Sequence, residues 1–317
     1  MPELLPSSSD DVADLHPFAA IRLIAADLDG TLVHAAPFQS QLDEKVQQYL
    51  RSLQRYGVRF TLATGRTFSG VKALVERLRL RADTPLVLYN GSVVMEWGSA
   101  RLLRRATLAT GALQKVLRQA SEHACEALAY FCQHPLEARS SGDVPIERVI
   151  GWRFGTHSDP RKDREFNGCP IVWLETEDDR NKVAPCALLL KVANPTVVAP
   201  LSAALESIHE VSITRSGPTY LEVRPLGSDK AIGLACVAEH IGVSQRQVLV
   251  IGDNDNDAEM LNWAGIGVSI SGASPAATKH ANYVCRRTTF EGVIEVLAVV
   301  RNARRYFPQP RGRTVRV

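Results

Sequence analysis

No stretch of the 317-residue chain approaches the roughly 20 apolar residues that a membrane-spanning helix needs. Cysteine is sparse. Its six copies, Cys125, Cys132, Cys169, Cys186, Cys236 and Cys285, form no CxxC pair and no zinc-like spacing, so reduced thiols in a cytoplasmic protein are expected. An excess of one charge is also missing: 37 Lys and Arg against 34 Asp and Glu leave +3, too little to point to nucleic acid or a membrane as partner. Basic residues do gather late, at Arg301, Arg304, Arg305, Arg311, Arg313 and Arg316, where a solvated, frayed tail is expected rather than an RNA-binding arm. The opening MPELLPSSSDDVADLHPF has neither a basic start nor a continuous apolar run, so a secretory signal is not expected and 1–19 reads as a disordered leader. GxxxxGK[ST] is absent, GIGVSISG near 265 does not fit GxGxxG, and the histidines lack metal spacing.

What is present is an ordinary globular composition, 45% hydrophobic and 22% charged, long enough for one large domain with an insertion or for two domains. IRLIAADLDG (21–30) reads as a buried parallel strand. Leu42, Val46, Leu50 and Leu53 then recur at helical spacing, with Gly57 as C-cap. A strand VRFTLATG (58–65), a helix over 67–79 and a strand PLVLYNG (85–91) complete a βαβαβ run, which predicts a doubly wound parallel sheet. The texture changes after Asn90. A strand pair over 93–108, a helix over 111–124, a charged, Pro- and Gly-rich stretch (134–185) and a strand ALLLKVA (187–193) follow. Asn194-Pro195 starts a helix to about Ile208, and strands lie near 210–214 and 219–224. From 228 the alternation resumes with a helix (229–241), VLVIGD, a helix (255–264), GIGVSI and a final helix from Phe290. The expectation is an α/β core split by an inserted α+β module.

In open α/β sheets ligands bind beyond the carboxyl ends of the strands. Those ends here carry Asp27 and Asp29, Thr64, and Asp253 to Asp257, with Lys230 at a helix start. Asp27-Leu28-Asp29-Gly30 could be only an acidic turn, or Asp27 could be a carboxylate nucleophile with Asp29 as general acid/base. Two carboxylates facing a phosphate need a divalent cation, and magnesium suits carboxylates, waters and a phosphate oxygen. Thr64 could be a helix cap or, with the Gly65 N–H, a phosphate ligand. Lys230 could be solvated or could neutralise a phosphoryl group. Arg66 and Asn90 could simply tie loops together. A calcium loop is rejected, because positions six and twelve counted from Asp253 are Ala258 and Ala264 rather than Gly and Glu.

ADLDGTL, LATGR, YLEVRPLGSDKAIGL and IGDNDNDAEML stand in the order of four short motifs, and together they resemble the haloacid dehalogenase (HAD) superfamily, in its Cof-like type IIB branch. ASPAATKHANYV followed by EGV is similar to that family's C-terminal segment, although Gly272-Ala273 replaces a common Asn-Ala pair. The resemblance implies a Rossmann-like core over 20–91 and 225–300, a C2B-type cap over 92–224, and Mg²⁺-dependent phosphomonoester hydrolysis, and the late arginines make 301–317 an expected basic tail. It implies Asp27 as nucleophile and metal ligand, and Asp29 as acid/base and metal ligand through its carbonyl. Asp253 and Asp257 would serve the metal, while Leu28, Thr64, Gly65, Lys230 and Asn256 would contact the phosphoryl group. Asp255 gets no role. The implied partner is a small phosphorylated metabolite, a sugar phosphate or phosphorylated cofactor. A sugar phosphomutase and a non-catalytic binding module are the alternatives. Trp152, Arg153, Arg180 and Lys182 in the cap could touch substrate, but for each a structural or solvated role is the favoured alternative.

Overall fold

The computed structural model of the chain describes residues 2–7, 12–34, 43–133, 146–154, 165–166, 168–174 and 184–308. It divides into two compact units, one of 1–64, 73–84 and 234–317, the other of 65–72 and 85–233. In chain order the strands are β1 (Glu3–Leu4), β2 (Leu23–Ala26), β3 (Arg59–Leu62), β4 (Pro85–Leu88), β5 (Val93–Glu96), β6 (Leu102–Arg105), β7 (Glu126–Gln133) and β8 (Ile146–Arg153). They continue as β9 (Glu165–Phe166), β10 (Cys169–Trp173), β11 (Ala187–Lys191), β12 (Val211–Gly217), β13 (Tyr220–Pro225), β14 (Val248–Gly252), β15 (Ile266–Ser269) and β16 (Tyr283–Val284). The helices are α1 (Glu44–Arg55), α2 (Phe68–Leu78), α3 (Thr110–Glu122), α4 (Val198–Glu206), α5 (Lys230–Ile241), α6 (Ala258–Trp263), α7 (Pro275–His280) and α8 (Thr289–Tyr306).

The first unit is built on a six-stranded parallel sheet in the order β1-β16-β15-β14-β2-β3. Its central strands, LIAA and VLVIG, are buried at every position, as expected of a parallel sheet covered on both faces. Helix α1 buries Val46, Leu50 and Leu53 at the predicted spacing. Asp43 caps it by accepting the Lys45 N–H at 2.7 Å, and Gly57, with φ of +74°, follows its last turn. Leu42 lies outside the described residues.

Two terminal expectations are corrected. Within 1–19, Glu3–Leu4 pairs in parallel with Tyr283–Val284, and a 3₁₀ segment, Val12–Ala20, buries Leu15, Phe18 and Ala19. The Phe18 ring lies 5.3 Å from that of Tyr283. Four apolar side chains, Leu5 among them, outweigh the acidic and proline-rich look of the segment. At the other end, Arg301, Arg304 and Arg305 belong to α8 rather than to a frayed tail. Arg304 is buried and donates to the carbonyls of Ala19 (2.9 Å) and Tyr56 (2.5 Å), and the Arg301 guanidinium stacks 4.6 Å from the Tyr49 ring centre. Arg311, Arg313 and Arg316 lie outside the described residues.

The second unit holds the remaining strands. β4, expected to extend the parallel sheet, pairs antiparallel with β5, which pairs with β6. The reason is the turn between them: Tyr89, Asn90 and Gly91 have φ of +50°, +51° and +94°, and three successive left-handed residues fold the chain back on itself. A seven-stranded sheet runs β12-β13-β11-β7-β8-β10-β9, antiparallel except for the parallel pair β8 and β10. Leu113 and Leu117 of α3, and Leu201 and Leu205 of α4, form one core with Leu188, Leu190 and Val223 of this sheet. Asn194 caps the Pro195 turn as predicted, accepting the Thr196 N–H at 3.0 Å. Burial pushes the Cys125, Cys169 and Cys186 thiols up to about 11, so they pack as small neutral groups.

The buried Phe18 gives a direct check. Phe18→Ala is expected to cost about 3–5 kcal/mol in urea unfolding. A variant with wild-type stability would return 12–20 to a loose leader.

Candidate active site

The first unit brings three strand ends side by side. β2 is the middle strand, in parallel register with β14 (Ala26 beside Ile251) and with β3 (Ala26 beside Leu62). Beyond those pairs the Asp27 N–H donates to the Ile251 carbonyl (2.9 Å) and the Ala63 N–H to the Ala26 carbonyl (3.0 Å). The ladder therefore fixes the backbone of Asp27, whose residue is 5% exposed. Leu28 to Val33 then close a tight turn, the Leu28 carbonyl accepting from Leu32 (3.0 Å) and Val33 (2.9 Å). Leu28 itself is fully buried. Gly30 has φ of +93°, and a Cβ there would run into the Asp253 carboxylate.

The acidic loop after β14 is shaped from within. Asp257, fully buried, accepts through Oδ2 the N–H groups of Asp253 (2.9 Å) and Asn254 (3.0 Å). Gly252 is needed here, because its Cβ would lie 2.6 Å from that of Asp257. Asp253 accepts at Oδ1 a hydrogen bond of 2.5 Å from the Thr31 hydroxyl, 222 residues away. Carboxylate oxygens of Asp27, Asp253 and Asp257 all lie within 4.8 Å of one another. Such crowding of like charge in a half-desolvated place is costly alone, and hard oxygen donors suit a hard divalent cation. The donor set thus fits a magnesium-type ion. The Asp29 side chain is half-buried and outside this trio, and its backbone bridges to Val33. Asn256 is half-buried on the Asp255–Asp257 turn, and Asp255 is exposed.

Thr64 is 1% exposed, two residues past β3. The cap of α2 that it could have supplied comes from Thr67, whose Oγ1 accepts the Gly70 N–H at 2.9 Å.

Gly65 and Lys230 belong to the second unit. A Cβ on Gly65 would lie 2.9 Å from the Asn90 amide nitrogen. Asn90 donates to the Glu222 carboxylate, and its carbonyl accepts from Arg224 at 3.4 Å, so it does tie loops together. Arg66 likewise donates to the Gly70 carbonyl at 3.3 Å. Lys230 opens α5 and is fully buried. The Asp229 side chain caps this helix, accepting the Ile232 N–H at 2.8 Å. A Cβ on Gly91 would strike the Asp229 carbonyl, and Arg104 donates to the Gly91 (3.2 Å) and Gly227 (3.0 Å) carbonyls, which holds the approach to Lys230. Of the cap candidates, Trp152 is buried in the core of its sheet, which gives it the structural role and not a substrate contact. Arg153 pairs with Glu126 (3.3 Å) and lies 3.7 Å over the Trp173 ring. Arg180 and Lys182 lie outside the described residues. The sequence assigns no role to Thr31, although it belongs to the ADLDGTL motif, nor to Arg104, which lies outside the motifs.

The model of the haloacid dehalogenase-like hydrolase family matches residues 24–297. A 5-amino-6-(5-phospho-D-ribitylamino)uracil phosphatase of Bacillus subtilis is 28% identical over 277 residues, covering 87% of this chain and 94% of the relative. Among solved structures, a haloacid dehalogenase-like hydrolase from Bacteroides thetaiotaomicron aligns with a TM-score of 0.69 at 25% identity, over 88% of this chain and 98% of its own. A HAD subclass IIB sugar phosphatase aligns with a TM-score of 0.66 at 16% identity, over 90% and 98%.

The Thr31 contact predicts a metal phenotype without loss of any carboxylate. Thr31→Val should weaken divalent-cation binding by about tenfold, read by titration calorimetry with Mg²⁺ or Mn²⁺. Unchanged affinity would show that the hydroxyl does not orient Asp253.

Proposed function

The chain belongs to the haloacid dehalogenase-like hydrolases and is a phosphatase of that superfamily, and we propose that it hydrolyses small phosphorylated metabolites through an aspartyl-phosphate on Asp27. The observation that carries this reading is the meeting of Asp27 with Asp253 and Asp257 at the ends of adjacent parallel strands. A nucleophile placed beside a cation site is what phosphoryl transfer from an anionic ester requires.

In this reading a carboxylate oxygen of Asp27 attacks phosphorus while the bond from phosphorus to the ester oxygen breaks. Asp29 gives its proton to that departing oxygen. It then takes a proton from a water, whose oxygen attacks the aspartyl-phosphate, so that inorganic phosphate leaves and the Asp27 carboxylate is restored. Asp27, Asp253 and Asp257, with the Asp29 carbonyl, would hold Mg²⁺, which when bound offsets the charge that otherwise keeps a phosphate dianion away. The Thr64 hydroxyl, the backbone of Leu28 and Gly65, Asn256 and the Lys230 ammonium would bind the phosphoryl oxygens. A buried lysine at a helix start suits an anion, since the helix dipole adds to its charge. The substrate proposed is a phosphorylated sugar, polyol or cofactor, in keeping with the phosphoribitylamino compound named for the Bacillus relative. The inserted unit over 92–224 would choose it. Five buried thiols fit a reducing, cytoplasmic setting.

Release of inorganic phosphate from para-nitrophenyl phosphate should depend on Mg²⁺ and stop with chelator. Asp27→Asn should lower kcat by at least about 10³-fold and Asp29→Asn by about 10²–10⁴-fold. Chelator-insensitive turnover, or an Asp27→Asn enzyme as active as wild type, would overturn the mechanism. A panel of phosphorylated metabolites ranked by kcat/KM would then identify the substrate class, and transfer within a sugar phosphate without free phosphate would mark a mutase.

A further inference from the structure

Glu147 lies on β8, opposite Cys132 of β7, and its carboxylate reaches the start of helix α2. Oε1 accepts the Phe68 N–H at 2.7 Å and the Tyr89 hydroxyl at 2.5 Å. Oε2 accepts the Ser69 N–H at 2.7 Å, with the Cys169 thiol at 3.7 Å. A carboxylate spanning two adjacent N–H groups at the positive end of an eleven-residue helix is well placed electrostatically. Thr67 already caps this helix locally. The long-range carboxylate, 78 and 79 residues away, therefore does something a cap does not: it joins the helix start to a strand of the seven-stranded sheet.

The same segment is gripped a second time. Tyr89, 2% exposed and left-handed, donates its backbone N–H to the Arg66 carbonyl at 3.2 Å and its hydroxyl to Glu147. Gly168 packs against Ser69 so closely that a Cβ would come within 3.0 Å of the Ser69 carbonyl carbon. Gly65 to Ser69 is thus enclosed by β8, the Gly168–Cys169 turn and the Tyr89 turn.

We propose that Glu147 is a positioning residue for phosphate binding, holding the Gly65–Ser69 segment so that the Gly65 N–H presents itself to a phosphoryl oxygen. This rests on the phosphatase reading above, in which Gly65 is a phosphate ligand. Glu147 does not touch the phosphate, and its own charge would repel one, so its contribution is geometric. A misplacement of about 1 Å in such a donor is enough to cost up to about 10²-fold.

Kinetics with para-nitrophenyl phosphate and calorimetric titration with inorganic phosphate, both on the full chain at saturating Mg²⁺, test this. Glu147→Gln and Glu147→Ala should each raise KM and the phosphate Kd by about tenfold or more, with Mg²⁺ affinity unchanged and kcat less affected than KM. Tyr89→Phe, which keeps the packing, should shift both constants the same way by about threefold. Wild-type constants in Glu147→Gln and Tyr89→Phe would overturn the proposal. So would a parallel fall of kcat, Mg²⁺ affinity, phosphate affinity and melting temperature, the mark of a helix cap alone. If the wild-type protein binds phosphate but cleaves no ester, the phosphatase reading fails while the Kd shift still supports Glu147. If it cleaves the ester but does not bind phosphate, the Glu147 proposal falls and the phosphatase reading stands; if it does neither, both fall.

Discussion

Three carboxylates drawn to within 4.8 Å of one another, two of them on buried residues, are the constraint to which the first unit is fitted. Like charges at that range in a partly desolvated place repel strongly, so the backbone must force them together and donors must share the cost. The force comes from parallel pairing: β2 and β14 lie in register, so their carboxyl ends, and the aspartates just beyond, emerge together. The sharing is seen at Asp257, which takes two backbone N–H groups, and at Asp253, which takes the Thr31 hydroxyl. Gly30 and Gly252 follow from the same crowding, since a Cβ at either position would collide with one of these acids. A divalent cation bound among them would complete the balance that the protein donors begin.

The second unit solves a different problem. Its seven-stranded sheet is covered by α3 and α4 through one apolar core, and Trp152 is spent on that core rather than on a ligand. Its chemistry-bearing residues are held by long-range polar ties instead of by a parallel ladder. Arg104 holds the Gly91 and Gly227 carbonyls near Lys230, Glu222 and Arg224 hold Asn90, and Glu147 holds the start of α2. Such ties position groups on turns, where no regular element fixes them, and each one buried is costly to leave half made.

Much of the fold was legible because it is written in local patterns. Fully apolar strands such as VLVIG, the Val46, Leu50 and Leu53 stripe of α1, and the Asn194-Pro195 start each carry their physical cause within a few residues. The errors arise where that locality fails. The polar surroundings of Leu15 and Phe18 hide a packed segment whose partners, Tyr283 among them, come from the far end of the chain. Arg304 looks like tail charge until the carbonyls of Ala19 and Tyr56 appear around it. β4 has the composition of a central parallel strand, and only the left-handed turn after it sends its pairing to β5.

The order of the motifs along the chain was enough to determine the family, the split α/β core and which aspartates to suspect, because acidic and glycine-rich strand ends are short, local signals. The tertiary structure alone decided which of those acids meet, since distances between residues 222 positions apart are set by strand register and not by spacing. It separated the Asp29 side chain from the cluster formed by Asp27, Asp253 and Asp257, and it moved the helix cap from Thr64 to Thr67. It also gave Thr31, a residue of the ADLDGTL motif, its partner Asp253, and brought forward Arg104 and Glu147, which lie outside the motifs. Their partners lie far away in sequence, and a hydrogen bond leaves no periodic trace in the chain that makes it.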